Sequence, residues 1–138
     1  MSYRARKVNY CYITVSNRPG IANNILNEIK QAGINLQAFS GFPAKAGKGQ
    51  IDLVAEKLAD IRKLAKKNGW RLSKSKKAFL IQGTDKTGAV AEPISRLAKA
   101  KINITAADAV AAGKGRYGMI LWVKPKVYSK AARALKAR

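Results

Sequence analysis

Two stretches decide how this sequence folds: Ile13-Thr14-Val15-Ser16-Asn17-Arg18-Pro19-Gly20-Ile21, and, past an intervening helical pattern, Ala32-Gly33-Ile34-Asn35-Leu36. Both return 68 positions later, as Ile81-Gln82-Gly83-Thr84-Asp85-Lys86-Thr87-Gly88-Ala89 and Ala100-Lys101-Ile102-Asn103-Ile104. At the same offset, without gaps, Ala38, Ala44, Gly47 and Leu53 fall on Ala106, Ala112, Gly115 and Leu121. Apolar, glycine and asparagine positions keep their type together, so the chain reads as two copies of one unit.

In the first copy Tyr10 to Val15 reads as a strand. It ends in Asn17-Arg18-Pro19-Gly20, a turn that also opens a helix, with Asn17 placed to cap its free amides. Ile21, Ile25, Ile29 and Ala32 lie on one helical face, and Gly33 stops the helix. Ile34 to Phe39 is a second strand, Gly47 to Gly49 a break, and Gln50 to Ala55 a third strand. Lys57 to Lys67 is a second helix closed by Asn68-Gly69, and Trp70-Arg71-Leu72 a short fourth strand. This order, βαββαβ, is the split unit of ferredoxin-like folds. The second copy repeats it from Phe79 to Val123 and places its last helix from Tyr128 onward, with no fourth strand. Pro93 should shorten the start of its first helix. The fold predicted is therefore α+β, two tandem ferredoxin-like units at residues 8–76 and 77–138, the second lacking its last strand. The edge left open calls for cover by the neighbouring copy or a second chain, which predicts a homodimer.

The turn-plus-asparagine pattern resembles the ACT domain, a small-molecule-sensing module of amino-acid metabolism, and the two copies are most similar to short proteins made of two ACT domains. The resemblance spans Tyr10 to Val123. It implies a non-enzymatic regulatory module that binds a free amino acid or similar small carboxylate at an interface between two domains. The positions implied are Asn17, Arg18, Gly20, Ile21 and Asn35, with Asp85, Gly88, Ala89 and Asn103 in the second copy. Independently of the family, a glycine turn at a helix start exposes backbone amides to a carboxylate, and an asparagine amide both donates and accepts, as a zwitterion requires. Asp85 in place of Asn17 would repel a carboxylate, so the first copy's turn is the favoured site.

Composition sharpens the reading. In 138 residues, 47% apolar, there are 28 Lys+Arg against 7 Asp+Glu, a net charge of +21, with one cysteine and no histidine. Histidine-based acid/base chemistry, the usual zinc sets and an intrachain disulfide are excluded. The seven carboxylates are scattered, and Cys11 falls on a strand as a small buried hydrophobe. No cofactor or metal is expected, and the chain is not expected to be an enzyme. The opening residues lack a signal-peptide pattern, and no apolar run reaches membrane-spanning length, so a cytoplasmic location is expected.

The charge supports a rival. Arg62 to Lys77 holds eight basic residues and Lys124 to Arg138 six, with no acid in either block. Such blocks predict nonspecific association with nucleic acid or other polyanions, or steering toward an acidic enzyme partner. Arg116-Tyr117-Gly118-Met119-Ile120-Leu121-Trp122 is also a near miss to the aromatic signature of RNA-recognition motifs, which share this strand order. The alternative function is thus a basic, ferredoxin-like RNA-binding protein.

Overall fold

From Tyr3 to Ser16 the chain alternates buried and exposed residues over most of its length, and it folds as one 14-residue strand, β1. The computed structural model describes residues 1–138. After β1 come α1 (Ile21–Gln31), β2 (Leu36–Pro43), β3 (Lys48–Ala55), α2 (Leu58–Asn68), β4 (Lys76–Thr84), α3 (Ala91–Lys99), β5 (Ala106–Gly113), β6 (Arg116–Trp122), a 3-10 turn at Pro125–Val127 and α4 (Tyr128–Leu135). The fold is α+β. No helix is long and apolar enough to cross a membrane.

The chain divides into two units, Asn9–Lys76, and Met1–Val8 together with Lys77–Arg138. In Asn9–Lys76 the strands lie in the order β2-β3-β1, antiparallel, with Tyr12 opposite Asp52 and Phe39 opposite Leu53. Sheet residues Cys11, Ile13, Ile51 and Leu53 pack with Ile25 and Ile29 of α1 and with Ile61 and Leu64 of α2. The expected fourth strand is reduced to a single bridge, Ile13 to Leu72, beside which the Ser73 N–H donates to the Tyr12 carbonyl at 2.9 Å. Three residues between the helix-closing Gly69, at φ 72°, and the polar run after Leu72 leave room for no longer ladder.

In the other unit the order is β1-β4-β6-β5, with Tyr3–Val8 supplying the β1 portion. The Thr84 N–H donates to the Ser2 carbonyl at 3.1 Å. Tyr3, Ala5, Phe79, Ile81, Met119 and Leu121 form its core with Leu97, Tyr128, Ala131 and Leu135. The edge expected to lie open is therefore filled by the chain's own Tyr3–Val8, seven residues upstream of the strand read from the sequence, and needs no second chain. Beside the same segment, Arg138 donates its N–H to the Ala5 carbonyl at 3.1 Å and accepts from the Lys7 N–H at 2.8 Å. As Pro93 implies, α3 begins late, at Ala91, with the proline buried in its first turn, where its missing N–H costs nothing.

Backbone details recur at the 68-residue offset. Asn17 N–H donates to Gly47 O at 3.0 Å and Asp85 N–H to Gly115 O at 2.9 Å. Ile34 N–H reaches Ile29 O at 3.2 Å and Ile102 N–H reaches Leu97 O at 3.0 Å. The left-handed positions Gly20, Gly33 and Gly47 recur as Gly88, Lys101 and Gly115.

Candidate functional site

In Asn9–Lys76 the turn between β1 and α1 is built by backbone. Besides the Asn17 bond to Gly47, Arg18 N–H folds back to Ser16 O at 2.9 Å. Gly20 is the N-cap of α1 at φ 89°, a conformation that costs an L residue roughly 1–2 kcal/mol. Its carbonyl accepts from Asn24 N–H at 3.0 Å, starting the helix. A Cβ built on Gly20 would meet nothing within 4 Å, so the backbone there faces open space. The sequence assigned Asn17 as a capping residue, but no side chain caps α1. Gly20, three residues on, took the cap position, leaving the Asn17 amide on the exposed turn. Ile21, the first helical residue, is half-buried against the core.

The second turn follows suit. Asp85 and Gly88 are exposed and Ala89 is buried. Pro93 delays α3, so its N-cap is Val90, again without a side-chain cap, and Asp85 does not cap it.

Each asparagine that the sequence paired with a turn stands elsewhere in its unit. Asn35 is exposed between α1 and β2. An 11-residue helix, spanning about 16 Å, separates it from Asn17. Asn103 stands likewise beyond the far end of α3. The structure thus brings Asn17, Arg18, Gly20 and Ile21 together, and Asp85, Gly88 and Ala89 together, and places Asn35 and Asn103 at the opposite helix ends. It also brings in residues that the sequence reading missed. Lys48 is opposite Ser16 across β1 and β3, and Arg116 is opposite Thr84 across β4 and β6, so each turn has a cation on the neighbouring strand. The signal was a basic residue recurring at the same 68-residue offset.

The aromatics that suggested RNA recognition are not displayed. Tyr117 is 4% exposed, Met119 2% and Trp122 8%, which leaves no stacking surface on β6. The Tyr117 hydroxyl is buried without a hydrogen-bond partner. Cys11 is fully buried, and burial pushes its thiol pKa up, away from a reactive thiolate. No group of three or more His, Cys, Asp or Glu residues is placed to hold a metal ion.

No family model matches the chain, and no curated protein does. Solved structures do. Protein BT0572 from Bacteroides thetaiotaomicron superposes with a TM-score of 0.82 at 17% identity, over 96% of this chain and 88% of that one. The ligand-free regulatory subunit of aspartate kinase from Thermus thermophilus gives 0.66 at 15% identity, over 99% and 95%. A C-terminal regulatory domain of aspartate kinase from Porphyromonas gingivalis gives 0.58 at 11%, over 97% and 93%. The chain shares the α+β fold of these structures, two of which are regulatory parts of aspartate kinase.

Proposed function

We propose that this chain is a stand-alone regulatory module of two ACT-type units in tandem. It binds a free amino acid or similar small carboxylate at the turn Asn17, Arg18, Gly20 and Ile21 and performs no chemistry on it. The recurrence of turn, hairpin and helix-end bonds at one offset supports the tandem reading. The observation that carries the binding site is the uncapped start of α1, where bare Gly20 backbone and the uncommitted Asn17 amide face solvent with Lys48 on the adjacent strand. A carboxylate there would meet first-turn amides, the positive end of the helix dipole and a cation.

Asn35 joins such a site only from another domain, because α1 separates it from the turn of its own unit. That favours a homodimer, and so do the outer strands. All of β5 is exposed, with Val110 at 69%, and Phe39 and Phe42 of β2 stand 45% and 44% exposed. Apolar strands at both sheet margins suit burial against a second copy. The regulated partner would be an enzyme with an acidic docking face, to which net charge +21 would steer the module.

A thermal-shift screen of the twenty amino acids tests the reading. A ligand that binds only the folded state at 100 times its Kd adds about 2.7 kcal/mol. Asn17→Ala and Asn35→Ala should each weaken the response roughly tenfold, the effect of one lost buried hydrogen bond of about 1–3 kcal/mol, and Asn103→Ala should do less. No shift with any amino acid, or an unchanged response in both asparagine variants, overturns it.

A further inference from the structure

Most of the positive charge lies in the unit that does not hold the Gly20 turn. The unit Met1–Val8 with Lys77–Arg138 holds 16 of the 28 basic residues and 3 of the 7 acidic ones. Within it a cleft of about 420 Å³ is lined by Lys7, Lys77, Ser129, Arg133 and Lys136 around the edge of Tyr128, and no lining residue is acidic. All four cations are exposed, and together they present a positive surface to an anion.

Three features of the fold assemble it. Tyr128 stacks on Phe79, ring centroids 4.4 Å apart, and its hydroxyl donates to the Ala78 carbonyl at 2.8 Å, which fixes α4 against the start of β4. Lys77, the residue before Ala78 on β4, then stands with its ammonium 5.5 Å from the Tyr128 ring centroid. Tyr128, Ala131 and Leu135 turn one face of α4 into the core. Ser129, Ala132 and Arg133 follow the i, i+3, i+4 spacing of a neighbouring face, which lines the cleft, and Lys136 joins them from the left-handed cap just past the helix end. Finally, the paired bonds of Arg138 with Ala5 and Lys7 hold the end of α4 beside β1 and so bring Lys7 to Lys136.

We propose that this cleft is a binding site for a chain of two or more linked phosphates. One carboxylate would occupy one of the four cations, whereas a di- or triphosphate engages all of them, with the Arg133 guanidinium offering a fork that matches phosphate oxygens and Ser129 a hydroxyl donor. The volume suits a nucleotide-sized ligand. Recognition is of the phosphates and not of a base, because the only aromatic ring in the lining is already stacked on Phe79 and 6% exposed. The site is independent of the turn at Gly20, so its failure leaves the amino-acid reading untouched.

Isothermal titration of the full chain with inorganic tripolyphosphate, at about 150 mM salt where diffuse surface attraction is screened, is the test. One saturable site is expected. The double variant Lys77→Gln, Lys136→Gln should weaken it at least about tenfold, and Arg133→Lys, which keeps charge and loses the fork, by a smaller factor. Lys66→Gln with Lys67→Gln on α2 removes the same charge from the other unit and should change affinity less than about twofold. ATP should bind within a few-fold of tripolyphosphate, which would mark free nucleotides as one source of the ligand. A much tighter ATP complex would instead overturn the phosphate-only recognition. No saturable binding, equal losses in the two double variants, or hexaglutamate or a uridine homopolymer binding as tightly as tripolyphosphate would show charge alone at work and overturn the site.

Discussion

Gly83 shows how much one missing carbon can decide. A Cβ there would lie 2.7 Å from the Ser2 carbonyl oxygen, 2.8 Å from the Tyr117 ring and 3.1 Å from the Tyr3 Cβ. Two of these contacts are to backbone or Cβ atoms that cannot swing away, so Gly83→Ala should destabilise the protein by about 1–3 kcal/mol in denaturant melts. The Tyr117 ring that presses on this glycine carries a buried hydroxyl with no partner. Tyr117→Phe removes an unsatisfied donor without changing the packing, and should raise stability by up to about 1 kcal/mol in the same melts. Asp52 is a buried carboxylate, 4% exposed. Burial pushes its pKa above the ordinary carboxylate value, opposed by the Gln50 hydrogen bond and the charge of Lys76. Because the folded protein holds this proton more tightly than the unfolded chain, the group's contribution is fully present below the unfolded pKa, near 3.9, and is lost as pH rises through the folded one. Asp52→Asn keeps an acceptor for the Gln50 Nε2 donor, 2.9 Å away, and should raise Tm at pH 7 with a gain that shrinks on acidification toward pH 3. A gain independent of pH would remove Asp52 ionisation as its cause.

Among the elements, the helices were the most legible and the sheet edges the least. α1 and α2 lie within a residue or so of where apolar spacing and the stops at Gly33 and Gly69 put them. Tyr3–Asn9 was missed as strand because its three basic residues, Arg4, Arg6 and Lys7, break up the apolar pattern, although Tyr3, Ala5 and Val8 are all buried on the structure's β1. Alternation carried the signal and charge masked it. Asn17 misled in a similar way: it has a capping residue's chemistry, but the left-handed glycine three positions later took the cap. The separation of Asn35 from the turn was readable in principle from the length of α1. No pattern in the sequence marks which residue of another domain would complete a site. Tyr3–Val8 also makes a prediction at this scale. A variant lacking Met1–Val8 should lose amide-exchange protection along β4, from Lys77 to Thr84, well before the Cys11 and Leu53 amides of the other unit change. Uniform loss throughout would contradict the division into units.

At the scale of the whole molecule, a net charge of +21 on 138 residues opposes compaction at low ionic strength. Raising salt from about 0.01 to 0.15 M shortens the screening length from about 30 to 8 Å, so Tm should rise over this range, where a protein near neutrality would change little. A thermal melt series in sodium chloride checks this, and a falling Tm would mean that attractive pairs outweigh the repulsion. The division of β1 between two units has a further consequence, for the order in which the protein can be made. Asn9–Lys76 is contiguous and can close as soon as it has been synthesised. Tyr3–Val8 leaves the ribosome before Asn9–Lys76, but its own unit is completed only after it: Ser2 waits for Thr84, and Lys7 for Arg138. During that interval an apolar, alternating strand segment stands without its partner, and folding of the second unit has to pass through pairings distant along the chain, which are slow to form. Arg4, Arg6 and Lys7 of that segment then have a use before any ligand arrives, since mutual repulsion keeps early strand edges on nascent chains from pairing with one another.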